Sequence, residues 1–280
     1  MTEGLEIDAM DVGDLREVLG WAADEGWNPG VADAEAFHAS DPSGFFLARI
    51  DGKAVAAISV VNHDAGHAFL GLYICRPDWR GLGIGLKTWA HGLAHAGQRS
   101  VGLDGVPDQE ANYRKSGFVR VGQSLRYVGR WEPAQSAAVR ALRAEDAPVL
   151  MAMDARAGGF ARPQFLSGWL APVPGLRETR VLERGGAVTG FATWRACGEG
   201  TKIGPVIAPD TASALELIAD IAALRPEGPL IVDLPEANTV LRLELEAAGF
   251  DVPFTTARMY RGTVPEFGAT LQAIATMELG

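Results

Sequence analysis

The chain holds two cysteines in 280 residues, Cys75 and Cys197, too few and too far apart for a disulfide scaffold. No apolar run approaches the length that crosses a bilayer. The opening MTEGLEIDAMD lacks the basic and apolar segments of a secretory leader. Reduced thiols, a cytoplasmic location and no membrane partner are expected. Positive charge is short as well, and a net charge of −10 argues against general nucleic-acid binding. Low-complexity tracts and runs of like charge are missing. Metal-site spacings are poor: His91 and His95 form H-x-x-x-H, but Gly92 stands where a zincin needs glutamate. Lys87, His91 and His95 recur every four residues as a polar stripe, which solvent explains. His63 and His67 flank Asp64 and Gly66 and read as turn residues. No Ser-His-Asp or Cys-His grouping is visible, and no metal is expected.

What is present is one concentrated stretch, from Phe69 to Gly97. Phe69, Leu70, Leu72, Tyr73 and Ile74 read as a buried strand, ended by Pro77. Arg80 to Gly85 then leads into a helix with Leu86, Trp89, Ala90 and Leu93 on one face. Gly81, Gly83 and Gly85, at alternate positions, allow a tight turn that aims successive N–H groups at one point. A helix N-terminus favours an anion there, so the stretch reads as a phosphate cradle beside Arg80. It is not a dinucleotide loop, because G-x-G-x-x-G places Leu86 or Thr88 at its last glycine. It misses the P-loop by one residue, with Leu86 before Lys87-Thr88.

The remaining pattern, R-x-x-G-x-G at Arg80, Gly83 and Gly85, resembles the pyrophosphate loop of the GNAT superfamily of acyl-CoA-dependent N-acyltransferases. The coarse element order agrees with that resemblance. Leu5–Ile7 is a strand and Asp11–Ala23 an amphipathic helix capped by Asp11. A second helix spans Ala32–Ser40, and a hairpin turns at Asp51-Gly52-Lys53. After the cradle come a short strand, Val101–Asp104, a helix, Asp108–Ser116, and two strands ending near Arg130. Tyr113 to Phe118, YRKSGF, matches a second motif of the family, Y-x-x-x-G-F. The resemblance covers roughly Leu5 to Trp131.

The second half repeats the first. Gly249-Phe250 answers Gly117-Phe118 132 residues later, and Asp146 answers Asp14 at the same offset. Ile203–Ile207 corresponds to the central strand, but Ala208 to Ala212 carries neither glycine nor arginine, and Leu245 replaces Tyr113. The expectation is an α/β (α+β mixed sheet) protein: tandem GNAT folds, each a mostly antiparallel mixed sheet flanked by helices. Residues 1–131 would form the catalytic domain and 136–280 a degenerate copy without the loop. The pair would act as a pseudo-dimer, monomeric in solution. The tail after Gly262 (Leu271, Ile274, Met277, Leu279) is expected to dock as a short apolar segment.

The resemblance implies acetyl-CoA as cosubstrate and direct attack by a primary amine of a small acceptor. Seven basic against four acidic residues between Gly71 and Arg120 suit a polyanionic cofactor and a cationic acceptor. Arg80, Gly81, Gly83, Gly85 and the Leu86 N–H would anchor the diphosphate. A backbone N–H between Ile74 and Arg76 would receive the oxyanion, as the family and oxyanion-hole logic imply. Tyr113 suits a general acid, because a phenol stays protonated at neutral pH. For the base, Glu25, in the loop between the first two helices, and Asp104 rank together. Trp27 and Asn28 are candidate acceptor contacts. Two alternatives stay open: a non-catalytic acyl-CoA-binding regulator, and a transferase of a longer acyl group.

Overall fold

The computed structural model describes residues 4–280. The first half runs β1 (Leu5–Ala9), α1 (Val12–Asp24), α2 (Asp33–Ser40), β2 (Phe45–Ile50), β3 (Lys53–Asn62), β4 (His67–Cys75), α3 (Ile84–His95), β5 (Ser100–Gly105), α4 (Glu110–Lys115) and β6 (Val119–Gly129). The second runs β7 (Val139–Ala141), α5 (Ala147–Gly158), α6 (Pro163–Leu170), β8 (Arg177–Arg184), β9 (Ala187–Ala196), β10 (Thr201–Ile207), α7 (Thr211–Leu224), β11 (Leu230–Pro235), α8 (Thr239–Ala247), β12 (Asp251–Arg261) and β13 (Leu271–Ala273). The expected mixed α/β architecture is present. Local chemistry sets its elements: Asp11 caps α1 by accepting the Asp14 N–H at 2.8 Å, and Leu15, Val18, Leu19 and Ala22 form the buried face. Asp51 and Gly52 both adopt positive φ, as a two-residue hairpin turn requires.

One expectation needs correction. Two strands were expected after α4, and there is one, β6. The position beside β5 is filled instead by β12, from the other end of the chain. The sheet order is β1-β2-β3-β4-β5-β12-β6-β11-β10-β9-β8-β7, with β13 against β10. Each half therefore lends its last long strand to the other. Among the described residues, only β4/β5 and β10/β11 are parallel pairs.

The halves also share a core. Met10, Leu15, Phe37 and Leu72 from the first belong to the same buried cluster as Leu150, Phe165, Trp169 and Phe191 from the second. Phe37 stacks on Trp169 at 5.9 Å between ring centroids. Arg126 on β6 meets Asp233 on β11 through two hydrogen bonds of 2.8 and 2.9 Å, both side chains buried. Such a pair adds little to stability when intact, but removing one partner strands a buried charge.

Two partings of parallel strands shape the functional region. The β4/β5 pairing ends at Leu70↔Leu103, while β4 continues along β3 to Cys75. Leu72 carries φ +46° where β4 has one residue more than β3, a bulge that re-aims the strand. The β10/β11 pairing likewise ends at Ile203↔Val232. There β13 fills the opening, pairing Val206↔Ala273 and Ile207↔Leu271, and the Ile274 N–H bonds the Asp233 carbonyl at 3.0 Å. The tail thus docks as a strand and then crosses to the first opening.

Candidate active site

A cleft of about 600 Å³ begins at the glycine turn and runs into the opening between β4 and β5. Gly81 and Gly83 have φ of +77° and +80°, with nothing within 4 Å of where a Cβ would stand. Gly83 is the left-handed N-cap of α3, and no side chain caps that helix. Its first N–H groups, of which that of Gly85 is aimed at the Cys75 thiol, meet no capping side chain and suit a bound anion. Gly85 and Leu86 line the same mouth. Arg80 is half-exposed; its Nε donates to the Cys75 carbonyl at 2.8 Å and its Nη2 to Glu25 Oε1 at 2.5 Å.

Inside, Gly71 to Cys75 have β3 on one side and, among the described residues, no strand on the other. Ile74 lines the cleft. Arg76 does not: its N–H is spent on the Val55 carbonyl at 3.0 Å, and its guanidinium lies over Trp21. Alternation along a strand then turns the Cys75 N–H toward the open side. Tyr113 reaches the cleft from α4, 7% exposed and stacked on Trp89. Burial pushes its phenol well above the ordinary range, so it stays protonated at neutral pH.

The second half builds the far wall with Phe254 and Thr256 from β12 and Met277 and Glu278 from the tail. The family models decide what the whole is. The Acetyltransferase (GNAT) family matches residues 13–118 and the Acetyltransferase (GNAT) domain matches 150–270. A holothin acyltransferase of Pseudoalteromonas sp. (strain SANK 73390) is 34% identical over 264 residues, 93% of this chain and 89% of that protein. The chain belongs to the GNAT acyltransferases.

Solved structures agree with a tandem GNAT fold. A Pyrococcus horikoshii structure described as an acetyltransferase is similar at a TM-score of 0.83 and 20% identity, covering 99% of this chain and 96% of its own. A tandem GNAT protein from the clavulanic acid biosynthesis pathway is similar at 0.62 and 18%, covering 91% and 97%. GNAT acyltransferases take their acyl groups from acyl-CoA, and the open glycine turn and uncapped α3 N-terminus fit a diphosphate. No helix among the described residues is long and apolar enough to cross a membrane.

Within this GNAT protein the two expected bases are both engaged. Glu25 lines the cleft bound to Arg80. Asp104 also lines it, its side chain fully buried, accepting from Arg258 Nε at 2.9 Å, Ser124 Oγ at 2.8 Å and Thr256 Oγ1 at 3.1 Å. Trp27 lines the cleft, and its carbonyl takes hydrogen bonds from Arg126 Nη1 at 2.8 Å and Lys202 Nζ at 3.0 Å. Asn28 lies away from the cleft, at φ +50°, with its amide bound to the backbone of Glu199.

Sequence reasoning missed Arg126, Phe254, Thr256, Met277 and Glu278. The first four follow from strand exchange and tail threading, which no local pattern announces. Glu278 carried a faint signal: it is the one charge in the apolar ending IATMELG. It is 5% exposed, and Thr276 Oγ1 donates to its Oε2. Burial alone would raise a carboxyl, but Lys202 and Arg195 nearby hold this one below its ordinary range. Burial in turn lowers the Lys202 ammonium.

Proposed function

We propose that this GNAT acyltransferase moves an acetyl group from acetyl-CoA to a primary amine of a small molecule, by direct attack while both are bound. The observation that carries this reading is continuity: one cleft joins the unfilled glycine turn to Tyr113 and to the unpaired side of β4. Arg80, the amides of Gly81, Gly83, Gly85 and Leu86, and the α3 dipole would hold the diphosphate. The thioester carbonyl would then lie along β4, where the open-side N–H near Ile74 and Cys75 receives the developing oxyanion. Tyr113, which burial keeps protonated, would protonate the departing thiolate. The glycine turn, the open strand and Tyr113 all belong to residues 1–131, and residues 136–280 would complete the cleft as the degenerate copy, so that one chain serves as a pseudo-dimer. The likeness to a holothin acyltransferase supports a small-molecule acceptor.

Calorimetric titration with CoA and acetyl-CoA tests the reading. Wild type binds both, and Arg80→Ala weakens both by roughly tenfold or more, as loss of a charge-assisted phosphate contact should. In a thiol-release assay over a panel of amines, Tyr113→Phe slows turnover about 10²-fold with binding unchanged. No binding of either ligand by wild type would end the proposal. Binding without turnover on any amine would favour a regulatory acyl-CoA binder.

A further inference from the structure

We propose that Glu278, carried on the C-terminal tail, accepts the proton that the acceptor nitrogen loses as it bonds to the acyl carbon. This rests on the acyl-transfer reading above and adds to it a catalytic residue from the opposite end of the chain.

The geometry points to Glu278 by position and by elimination. Its backbone lies against Gly71: the Glu278 carbonyl oxygen is 2.1 Å, and its Cα 3.0 Å, from where a Cβ on Gly71 would stand. Gly71 is the first residue of β4 past the last β4/β5 pair, so the backbone of Glu278 sits at the apex of the opening, and the residue lines the cleft there. The other cleft carboxylates are differently disposed. Glu25 is paired with Arg80. Asp104 is held by Arg258, Ser124 and Thr256. Asp108 is exposed in the turn before α4. Glu278 gives Oε2 to Thr276, and no described residue hydrogen-bonds its Oε1. The tail is fixed on both sides of it: the Leu279 carbonyl meets His63 Nε2 at 2.8 Å, the Gly280 carbonyl accepts from Arg162, and Ile274 is bonded to Asp233.

The step balances as follows. The lone pair of a neutral amine forms the C–N bond, and the carbonyl π electrons move onto oxygen. The nitrogen becomes positively charged, and its N–H grows far more acidic than that of a free ammonium. Glu278 takes this proton. The oxyanion re-forms the carbonyl, the C–S electron pair leaves on sulfur, and Tyr113 protonates it; water later carries the proton from Glu278 and restores the phenol. The cationic surroundings that keep Glu278 ionised make it a poor base toward a free alkylammonium but an adequate one toward this adduct. The step therefore starts from the neutral form of the acceptor amine, which a weakly basic amine supplies near pH 7.

Hydroxylamine, a small and weakly basic nitrogen nucleophile, serves as probe with acetyl-CoA, and hydroxamate formation is the readout. Wild type accelerates the reaction, while Glu278→Gln lowers kcat by about 10²-fold or more with the affinity for CoA unchanged. Formate restores activity to Glu278→Ala in a concentration-dependent way and leaves wild type unaffected, which a merely structural role would not produce. Glu278→Gln within about threefold of wild type, against the 10² expected of a general base, overturns the assignment. So does a failure of formate to rescue, or the absence of wild-type acceleration although acetyl-CoA binds. Absence of CoA binding overturns the underlying acyl-transfer reading as well, so the two failures are told apart by calorimetry.

Discussion

Gly71→Ala places one methyl group in the path of the tail. Its φ does not demand glycine; the neighbour does. A Cβ would stand 2.1 Å from the Glu278 carbonyl oxygen and 2.9 Å from its carbonyl carbon, both backbone atoms with no rotamer to change. Ordinary contact needs about 3.5 Å, so the chains must part by more than about 1 Å. β4 cannot yield easily, because Gly71 is paired with Ser59 in the middle of the sheet. The tail must yield, against its bonds to His63 and Arg162. Overpacking of this kind costs about 1–3 kcal/mol. Urea unfolding with an unchanged m value should report that loss. Removal of residues 278–280 removes the obstacle, so Gly71→Ala added to the truncated chain should cost nothing measurable. The coupling in that double-mutant cycle should equal about the whole cost of the single substitution. Additive effects would refute the reasoning, because the methyl group would then be colliding with something other than the tail.

Other perturbations test the rest of the site. Asp104→Asn leaves Arg258 buried without its charge partner and should destabilise the fold by about 3–5 kcal/mol, measured by urea unfolding. Glu25→Gln removes only a half-exposed ion pair, worth about 1 kcal/mol at most, so CoA affinity should change by no more than about fivefold and upward, as Arg80 is released. His63 is buried near Arg162, and its imidazole is pushed down to about 4 by burial first and that guanidinium second. The unfolded chain binds a proton on this residue between pH 4 and about 6.5 that the folded chain refuses. Its contribution is therefore complete above about pH 6.5, declines as pH falls toward 4, and amounts to about 3 kcal/mol. His63→Gln should flatten that part of the stability–pH curve, and an unaltered slope would count against it.

Much of the fold could be read from local chemistry. The Asp11 cap, the Asp51-Gly52 turn and the alternate glycines after Pro77 each fix backbone geometry through their own residues, so each lies where the sequence places it. The repeat at 132 residues, with the cradle missing from its second occurrence, disclosed the tandem arrangement. Strand exchange was hidden because β6 and β12 have the same apolar character and either would satisfy the edge of β5. Pairing across more than 150 residues leaves no trace in a local window, as Ala257↔Gly105 illustrates. The same blindness explains Asn28, whose partner Glu199 lies 171 residues away. Asp104 was legible as a cleft carboxylate, but not as the partner of an arginine on β12.

The exchange of β6 and β12 bears on what the half without a glycine turn is for. Cut after Trp131, the remaining piece would keep its glycine turn and its tyrosine. It would lose the far wall of its cleft, with Phe254, Thr256 and the carboxylate of Glu278 gone. The half without a glycine turn is thus a donor of walls and side chains to its sibling, and the gene can shed neither without disabling the other.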